Sequence, residues 1–296
     1  MSDIIVSKRT IDIEKVFKTK SPKLGNLLPG FVYSYLRKIV HEESMNAILY
    51  DHREKYGLDF IHAVLSEYHV GVESIGVNNI TKEGRYIIAA NHPLGGLDGL
   101  ALMHSVALKR EDIVFPVNDL LMYLPNLKPL FIPINKHGSN ADNIKIINET
   151  FDSDKILLYF PAGLVSRKQD NGSIRDLEWK TTFISRAKKH RRDIIPTFVE
   201  GHNSKFFYNL AYWRKKLGIK ANIEMLYLAD EMFKQEGKTI RIHYAPPIPY
   251  QTFDKRFNNR EWAKIVKEYV YRIETHQGEI VPFEDFLNNT KNNIHF

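Results

Sequence analysis

The chain has 296 residues, of which 43% are hydrophobic and 12% aromatic, and its formal net charge is +7. A chain of this size can bury a substantial core without a structural metal or disulfides, and with no cysteine the fold needs no oxidising compartment. The absence of any run of about 18 uninterrupted apolar residues excludes a classical transmembrane helix, and residues 1–9 lack the apolar core of a signal peptide. We therefore expect a cytoplasmic protein that does not cross a membrane.

Residues 1–75 predict an N-terminal helical cap, with one helix at 59–67 before a polar turn at 69–71. Within the cap, residues 24–49 are rich in leucine, phenylalanine and tyrosine with cations between them, a pattern that favours an amphipathic helix lying in the headgroup plane of a membrane. An ordinary helix packed on a sheet has the same pattern, because hydrophobic periodicity does not identify the apolar partner. The sequence leaves both interpretations open.

The apolar run at 86–90 predicts a buried strand that leads directly to His92. A helix is expected to begin near Asp98, since apolar residues at 97–108 recur at helical spacing. A carboxylate at a helix N-terminus is stabilised in its ionised form by about 0.3 to 1 kcal/mol, and beside an imidazole it fixes the tautomer of the ring. The pair predicts a general base that deprotonates a hydroxyl, although a helix cap beside a structural histidine would use the same residue types.

Further apolar runs predict the other strands of a mostly parallel sheet. They lie at 113–117, 130–134, 156–160, 194–199, 223–228 and 240–245. Helices predicted at 140–151 and 181–190 alternate with these strands, and the prolines at 246, 247 and 249 end the sheet. Because sites gather at the carboxyl ends of parallel strands, we expect His92 and the turn at 161–163 to share one cleft.

The predicted organisation has three parts. An α/β domain at 76–250 follows the helical cap at 1–75, and a C-terminal segment at 251–296 completes the chain. That segment contains a helix at about 260–275 and a tail at 288–296 that we expect to be mobile.

The segment NHPLGGLDG at 91–99 resembles the first motif, Asn-His-x4-Asp, of the glycerolipid acyltransferases, the family that includes 1-acylglycerol-3-phosphate acyltransferase. The residues of this segment are most similar to those of the bacterial hemolysin-like branch, which includes O-acyltransferases of lyso-ornithine and lyso-glycine lipids. The chain departs from the motif by having five residues between His92 and Asp98 instead of four. Gly95 and Gly96 can absorb the extra residue, because glycine adopts backbone angles closed to other residues.

The third motif of this family, Phe-Pro-Glu-Gly-Thr-Arg-Ser, has a counterpart at 156–167, where Ala162 stands for the glutamate and Val165 for the arginine. The matching residues are Phe160, Pro161, Gly163 and Ser166. Residues 130–136 stand at the second motif without its arginine, so that Lys136 is the nearest cation. The apolar residues at 194–197 correspond to the fourth motif, and the four blocks together span about residues 80–200.

The resemblance implies a glycerol-3-phosphate acyltransferase-like fold and direct transfer of a fatty acyl group from an acyl carrier protein or coenzyme A thioester to a lysolipid hydroxyl. His92 would take the hydroxyl proton while Asp98 holds the ring. Without a cysteine or a Gly-x-Ser-x-Gly segment, no acyl-enzyme is expected, and without a histidine or cysteine cluster no metal or other cofactor is expected. Backbone N–H groups at Gly95, Gly96 or Gly163 are the candidate donors to the oxyanion.

The resemblance also suggests a set of substrate-binding residues. They are Asn91, Gly95, Gly96, Asn135, Lys136, Phe160, Pro161, Gly163, Ser166, Arg167 and Lys180. Arg167 could supply the cation missing at Val165, or its side chain could point to the other side of the turn. Lys180 could meet a headgroup or the phosphopantetheine of the donor, or it could be an ordinary surface lysine.

The acceptor is predicted from what the motifs lack. A phosphate dianion is usually met by arginine, and the arginine positions of the family are not filled, so a lyso-aminolipid is favoured and 1-acylglycerol-3-phosphate is the alternative. Ala162 keeps open a different class, a non-catalytic basic membrane-binding protein with a degraded acyltransferase site. Hydrolysis of the thioester by water is a third possibility.

Residues 180–220 carry eleven cations and only two carboxylates. Aromatic and apolar side chains lie among these cations at Phe206, Phe207, Tyr208, Leu210, Tyr212 and Trp213. Such a mixture suits an anionic membrane surface, and the charge would also attract an acidic acyl carrier protein. A nucleic-acid partner is not expected, because zinc-finger spacing and RNP-like aromatic motifs are missing.

Overall fold

Short helices form the beginning of the described chain. The computed structural model describes residues 9–117, 121–133, 141–275 and 280–290. The first helices are α1 (Ile13–Lys20), α2 (Pro22–Leu27), α3 (Gly30–Ile39), α4 (Glu42–Asp51) and α5 (Leu58–Glu67). The predicted amphipathic segment at 24–49 is therefore divided among three helices. Pro29 immediately precedes α3 and His41 adopts a left-handed conformation before α4, and both interrupt helical continuity.

A seven-stranded sheet forms the centre of the fold, and two further strands make a separate hairpin. The strands are β1 (Gly71–Ile75), β2 (Tyr86–Ala90), β3 (Ile113–Val117), β4 (Phe131–Pro133), β5 (Ile156–Tyr159), β6 (Arg167–Lys168), β7 (Ile174–Arg175), β8 (Asp193–Val199) and β9 (Thr239–Tyr244). The sheet has the order β1-β9-β8-β2-β5-β3-β4, and β6 pairs with β7. Every neighbouring pair in the sheet is parallel except β8 and β9.

Helices cover both faces of this sheet. They are α6 (Gly96–Ala107), α7 (Ala141–Asp152), α8 (Thr182–His190), α9 (Lys205–Lys216), α10 (Leu228–Phe233), α11 (Asn259–Thr275) and α12 (Phe283–Thr290). Side chains alternate along β2: Ile88 and Ala90 pack in the core with α5 and α6, while Ile87 and Ala89 pack in the core with α8 and α11. Burial on both faces explains the uninterrupted apolar run at β2, and the predicted α/β fold with a mostly parallel sheet is confirmed.

Two sequence predictions were wrong. Residues 223–228 form a 3-10 helix (Ile223–Tyr227) that continues into α10, because Glu224 turns inward to bind two arginines and no strand pairs with this segment in the described chain. The second wrong prediction is the end of the helical cap at residue 75. The predicted turn at 69–71 leads directly into β1, an edge strand that has no apolar run because its residues are exposed or half-buried. Residues 71–75 therefore belong to the sheet rather than to a separate cap.

No helix in the described parts of the chain has both the length and the hydrophobicity that crossing a bilayer requires.

Candidate active site

His92 and Asp98 lie within hydrogen-bond distance at the end of the central strand β2. The His92 ring nitrogen Nδ1 is 3.0 Å and 3.1 Å from the two carboxylate oxygens of Asp98. Because an ionised carboxylate only accepts hydrogen bonds, Nδ1 carries the proton, and the other ring nitrogen, Nε2, is the basic one in the neutral ring. Nε2 has no hydrogen-bond partner among the residues that the structure describes. The arrangement is that of a general base held by an acid.

Asp98 is fully buried and is held by the loop that it follows. Its Oδ2 accepts hydrogen bonds from the backbone N–H groups of Leu94, at 2.8 Å, and Gly95, at 3.2 Å. Gly95 has φ +89° and ψ −125°, a conformation that side chains disfavour. This turn accommodates the fifth residue between His92 and Asp98, and α6 begins at the next residue, Gly96.

The environment of His92 favours its protonated form. Burial opposes a charge on the ring, but attraction to Asp98 and, more weakly, to Asp176 outweighs burial and raises the pKa of His92, while Arg167 acts against this rise. The His92 side chain is 16% exposed. One face of the ring stacks on Phe160, with 4.1 Å between ring centres. Phe160 therefore orients the ring and forms an apolar wall beside it.

Asn91 and Ser166 were predicted to bind substrate, but both face the protein. The Asn91 amide donates to the backbone oxygen of Val199 at 2.9 Å and accepts from its N–H at 2.7 Å, which joins the ends of β2 and β8. The Ser166 hydroxyl donates to Asp176 at 2.6 Å, and the Ser166 N–H donates to the backbone oxygen of His92 at 2.8 Å. Their role in the structure is to hold the loop that carries His92.

Of the three predicted oxyanion donors, two are occupied by other acceptors. The Gly95 N–H donates to Asp98, and the Gly163 N–H donates to the backbone oxygen of Phe160 at 3.0 Å. Gly96 is exposed, has open space where a β-carbon would stand, and is the first residue of α6. A first-turn N–H has no partner within its own helix. Gly96 is therefore the candidate that remains.

Arg167 does not extend toward a substrate. Its guanidinium is buried and donates to Glu224 at 2.9 Å and to the backbone oxygen of Val165 at 2.6 Å. Glu224, which is also buried, binds Arg214 at 2.7 Å. The prediction that Arg167 replaces the arginine missing at Val165 is therefore wrong, because its charge is already paired inside the protein. Sequence reasoning could not find Glu224, which lies 57 residues further along the chain.

Lys180 is exposed and lies over the turn that follows β5. Its backbone N–H donates to the carbonyl of Pro161 at 3.0 Å, and a β-carbon placed on Gly163 would be 2.8 Å from its ammonium nitrogen. The described residues offer this ammonium no anionic partner. Pro161, a residue of this turn, is buried. Two other predicted binding residues, Asn135 and Lys136, lie outside the described residues.

Asp176 is a site residue that the sequence analysis missed. It is 1% exposed and accepts hydrogen bonds from the His92 N–H at 3.2 Å, from Ser166, and from the indole N–H of Trp179 at 2.8 Å. A single aspartate in a polar stretch carries no motif. Its only sequence signal is a tryptophan three residues later, close enough for the indole to reach the carboxylate.

Asn203 is the second residue that sequence reasoning missed. It is buried, and its amide donates to the backbone oxygen of Pro93 at 3.1 Å. Asn203 thereby connects the loop after His92 to the start of α9.

A histidine held by a buried carboxylate at the carboxyl edge of a parallel sheet, with its other ring nitrogen unoccupied, has the geometry needed to take a proton from a hydroxyl group. The family comparison specifies the class. The acyltransferase family model matches residues 15–277, so the chain belongs to this family and is an acyltransferase.

Two similar proteins cover almost the same length as this chain. The chain is 48% identical over 265 residues to the lyso-glycine lipid O-acyltransferase of Bacteroides thetaiotaomicron, which spans 89% of this chain and 97% of that protein. It is 47% identical to the lyso-glycine lipid O-acyltransferase of Phocaeicola vulgatus, over 89% and 95% of the two chains. The crystal structure of a 1-acyl-sn-glycerophosphate acyltransferase from Thermotoga maritima matches 81% of this chain and 95% of that chain, with 16% identity and a TM-score of 0.44.

Proposed function

We propose that this acyltransferase transfers a fatty acyl group from an acyl carrier protein or coenzyme A thioester to the hydroxyl of a lyso-aminolipid, specifically a lyso-glycine lipid. The observation that carries the proposal is the His92–Asp98 pair in a chain that is 48% identical, over 89% of its length, to a lyso-glycine lipid O-acyltransferase. The geometry supports activation of a hydroxyl, and the relatives support the choice of acceptor.

The proposed reaction is direct transfer. His92 Nε2 takes the proton of the acceptor hydroxyl as the oxygen attacks the thioester carbonyl, and Asp98 stabilises the imidazolium that forms. The N–H of Gly96 would donate to the tetrahedral oxyanion. When the intermediate collapses, the carbon–sulfur bond breaks and His92 returns the proton to the leaving thiolate. An ester and a free thiol result, without a covalent enzyme intermediate or a cofactor.

Lys180 is proposed to bind the acceptor headgroup. A glycine acylated on its nitrogen keeps its carboxylate, and an exposed ammonium is a suitable partner for it. Lys180 lies over the Gly163 turn, and Phe160 at the start of that turn stacks on His92. Binding the carboxylate there would hold the headgroup close to the base. Arg167 is already paired with Glu224, so the described third-motif residues give the 1-acylglycerol-3-phosphate alternative no free arginine.

Replacing Lys180 by glutamine should lower kcat/KM for a lyso-glycine lipid by about tenfold, because one partly exposed charged hydrogen bond is lost. Steady-state kinetics with this acceptor and with its carboxamide analogue test the prediction. The analogue has no negative charge, so its kcat/KM should hardly change. Lys189→Gln, in the last turn of α8 at the opposite end of the sheet, is the matched control. An equal loss for both acceptors would show that Lys180 does not bind the carboxylate.

We further propose that the enzyme docks on the inner face of the cell membrane through α3 and α9. Phe31 and Tyr35 of α3 are exposed by 75% and 51%, and Trp213 of α9 by 60%. Tyr227, the last residue of the 3-10 helix, contacts both helices. Its hydroxyl is 2.6 Å from that of Tyr35 in α3, and its ring centre is 5.0 Å from that of Phe206 in α9. We call the exposed apolar surface of these two helices the α3–α9 face.

Charge and position support membrane docking. Exposed lysines at 215, 216 and 220 adjoin the apolar side chains of α9, and anionic headgroups attract such cations by about 1 kcal/mol each. Asn203, just before α9, is bonded to Pro93 in the loop after His92. The helix proposed to meet lipid thus begins beside the proposed base, which suits an acceptor drawn from the bilayer.

The double variant Phe31→Ser/Trp213→Ser should bind phosphatidylglycerol vesicles at least about tenfold more weakly, because each large side chain contributes about 1.5 to 3 kcal/mol when buried in an apolar phase. Vesicle sedimentation measures the partition coefficient. Leu108→Ser is the control, since Leu108 is 60% exposed but follows α6 at the far end of the sheet. Unchanged partitioning of the double variant would rule out the α3–α9 face.

Lipid mass spectrometry of a deletion strain tests the proposed acceptor directly. The strain should accumulate lyso-glycine lipid and lose the O-acylated product, and the wild-type gene should restore it while the His92→Ala gene should not. Accumulation of 1-acylglycerol-3-phosphate, or rescue of a conditional mutant in its acylation, would replace the proposed acceptor by the phosphate-bearing alternative.

A further inference from the structure

A second buried carboxylate contacts the proposed base at its backbone. Asp176 lies just after β7 and is almost completely buried. Its Oδ1 accepts from the His92 N–H at 3.2 Å and from the Ser166 hydroxyl at 2.6 Å, and its Oδ2 accepts from Trp179 at 2.8 Å. Burial raises the pKa of the Asp176 carboxyl, and the hydrogen bonds from Ser166, Trp179 and the His92 N–H act against this rise. Its hydrogen-bond partners in the described chain are all donors, which is the arrangement that an ionised carboxylate requires.

Asp98 and Asp176 hold different parts of the same residue. Asp98 binds the His92 ring, whereas Asp176 binds the His92 backbone N–H. Ser166 completes the second contact, because its N–H donates to the His92 carbonyl at 2.8 Å while its hydroxyl donates to Asp176. Both peptide groups flanking the imidazole are therefore fixed by residues of the 166–176 segment.

Asp176 is itself anchored by the long C-terminal helix α11. Its N–H donates to the hydroxyl of the buried Tyr271 at 2.7 Å, and Lys267 donates to its carbonyl at 2.7 Å. Burial lowers the pKa of Lys267 and raises that of Tyr271. Since these groups come from an element distant in sequence, the position of His92 depends on how α11 packs.

We infer that Asp176 is a positioning residue for His92, which fixes the backbone of the base and stabilises the imidazolium by its negative charge. The inference rests on the proposed role of His92 in acyl transfer. The charged groups that act on the ring are Asp98 from α6, Asp176 from the segment after β7 and Arg167 from β6, and the ring's other neighbour, Phe160, is neutral. Removing the Asp176 charge leaves Asp98 as the one negative charge and Arg167 as the one positive charge among these groups, so the protonated ring is less favoured.

The test uses Asp176→Asn, which keeps the size of the side chain but removes its charge. An asparagine has one acceptor oxygen, so in this variant the Trp179 indole would meet an amide N–H group. The double variant Asp176→Asn/Trp179→Phe removes that clash between donors and keeps the oxygen available for His92 and Ser166. Circular dichroism and thermal unfolding establish that the double variant is folded.

The readout independent of turnover is the NMR titration of the His92 ring in the full chain. In the double variant its midpoint should move to lower pH by about one unit, because a nearby negative charge no longer favours the protonated ring. Trp179→Phe alone should retain the wild-type midpoint. Asp193→Asn is the matched control, since Asp193 accepts a backbone N–H at the start of β8, at the opposite end of the sheet.

Kinetics complete the test. The kcat of the folded double variant should fall at least about tenfold with little change in KM, and the acid limb of its pH profile should move with the NMR midpoint. A midpoint and a kcat equal to those of the wild type would overturn the positioning role. Failure of the wild-type enzyme to acylate any lyso-glycine lipid would instead refute the proposed function, and the NMR midpoint would still decide the role of Asp176.

Discussion

His92→Ala is expected to slow acyl transfer by at least about 10³-fold, because general base catalysis contributes about 10² to 10⁴ and the same imidazole must return a proton to the leaving thiol. The side chain is partly exposed and its bond to Asp98 is the only side-chain hydrogen bond recorded for it in the described residues. The fold should therefore survive its removal. Initial rates of acyl transfer from a radiolabelled acyl thioester measure the loss of activity, and thermal unfolding tests whether the variant is folded.

His62→Ala is a suitable control for this substitution. His62 is an exposed histidine of α5, on a helix that packs in the core next to α6. The His62→Ala variant should transfer acyl groups at a rate within about twofold of the wild-type rate, because surface substitutions away from a site usually have small effects. A His92→Ala protein that is folded and retains most of its activity would remove His92 from the chemistry.

Asp98→Asn is the second substitution with a large expected effect, a fall of about 10³ to 10⁴ in kcat. An asparagine amide directed at Nδ1 no longer stabilises the imidazolium and can select the wrong tautomer, an effect of this size in other histidine–aspartate pairs. Because Asp98 helps to raise the pKa of His92 above its ordinary value of 6.5, the wild-type rate should rise with pH through a midpoint above 6.5. In the variant that midpoint should move to lower pH.

The pH profile of kcat/KM separates this role of Asp98 from a purely structural one. Asp98 also accepts the N–H groups of Leu94 and Gly95, so some loss of thermal stability is expected from the change. A lower rate with an unmoved acid limb would mean that Asp98 only caps the loop. A lower rate with the acid limb moved to lower pH would support stabilisation of the His92 imidazolium by Asp98.

The sequence predicted the parts of the molecule that depend on short-range patterns. An apolar run buried on both faces marked β2, and the residues that follow it placed an imidazole and a carboxylate within one turn of each other. Gly95 was expected to absorb the additional residue, and its positive φ shows how it does so. These predictions succeeded because each of them depends on neighbours only a few residues away.

Features that depend on distant partners could not be predicted. The direction of the Arg167 side chain was left open, because nothing near it in sequence indicated that Glu224 would pair with it inside the protein. Asp176 depends on contacts with His92 and Tyr271, which lie 84 and 95 residues away. β1 was not predicted, because an edge strand can carry polar residues on both faces and then shows no apolar pattern. Tertiary packing determined each of these outcomes.

The most direct test of the whole account is a transfer assay with purified protein, a radiolabelled acyl carrier protein thioester and lyso-glycine lipid presented in anionic vesicles. We predict that the label appears as an ester of the lipid with release of one thiol per ester formed, and that His92→Ala forms neither product above background. Label recovered as free fatty acid would mean that water is the acceptor. Vesicle binding without turnover would contradict the catalytic role of the His92–Asp98 pair.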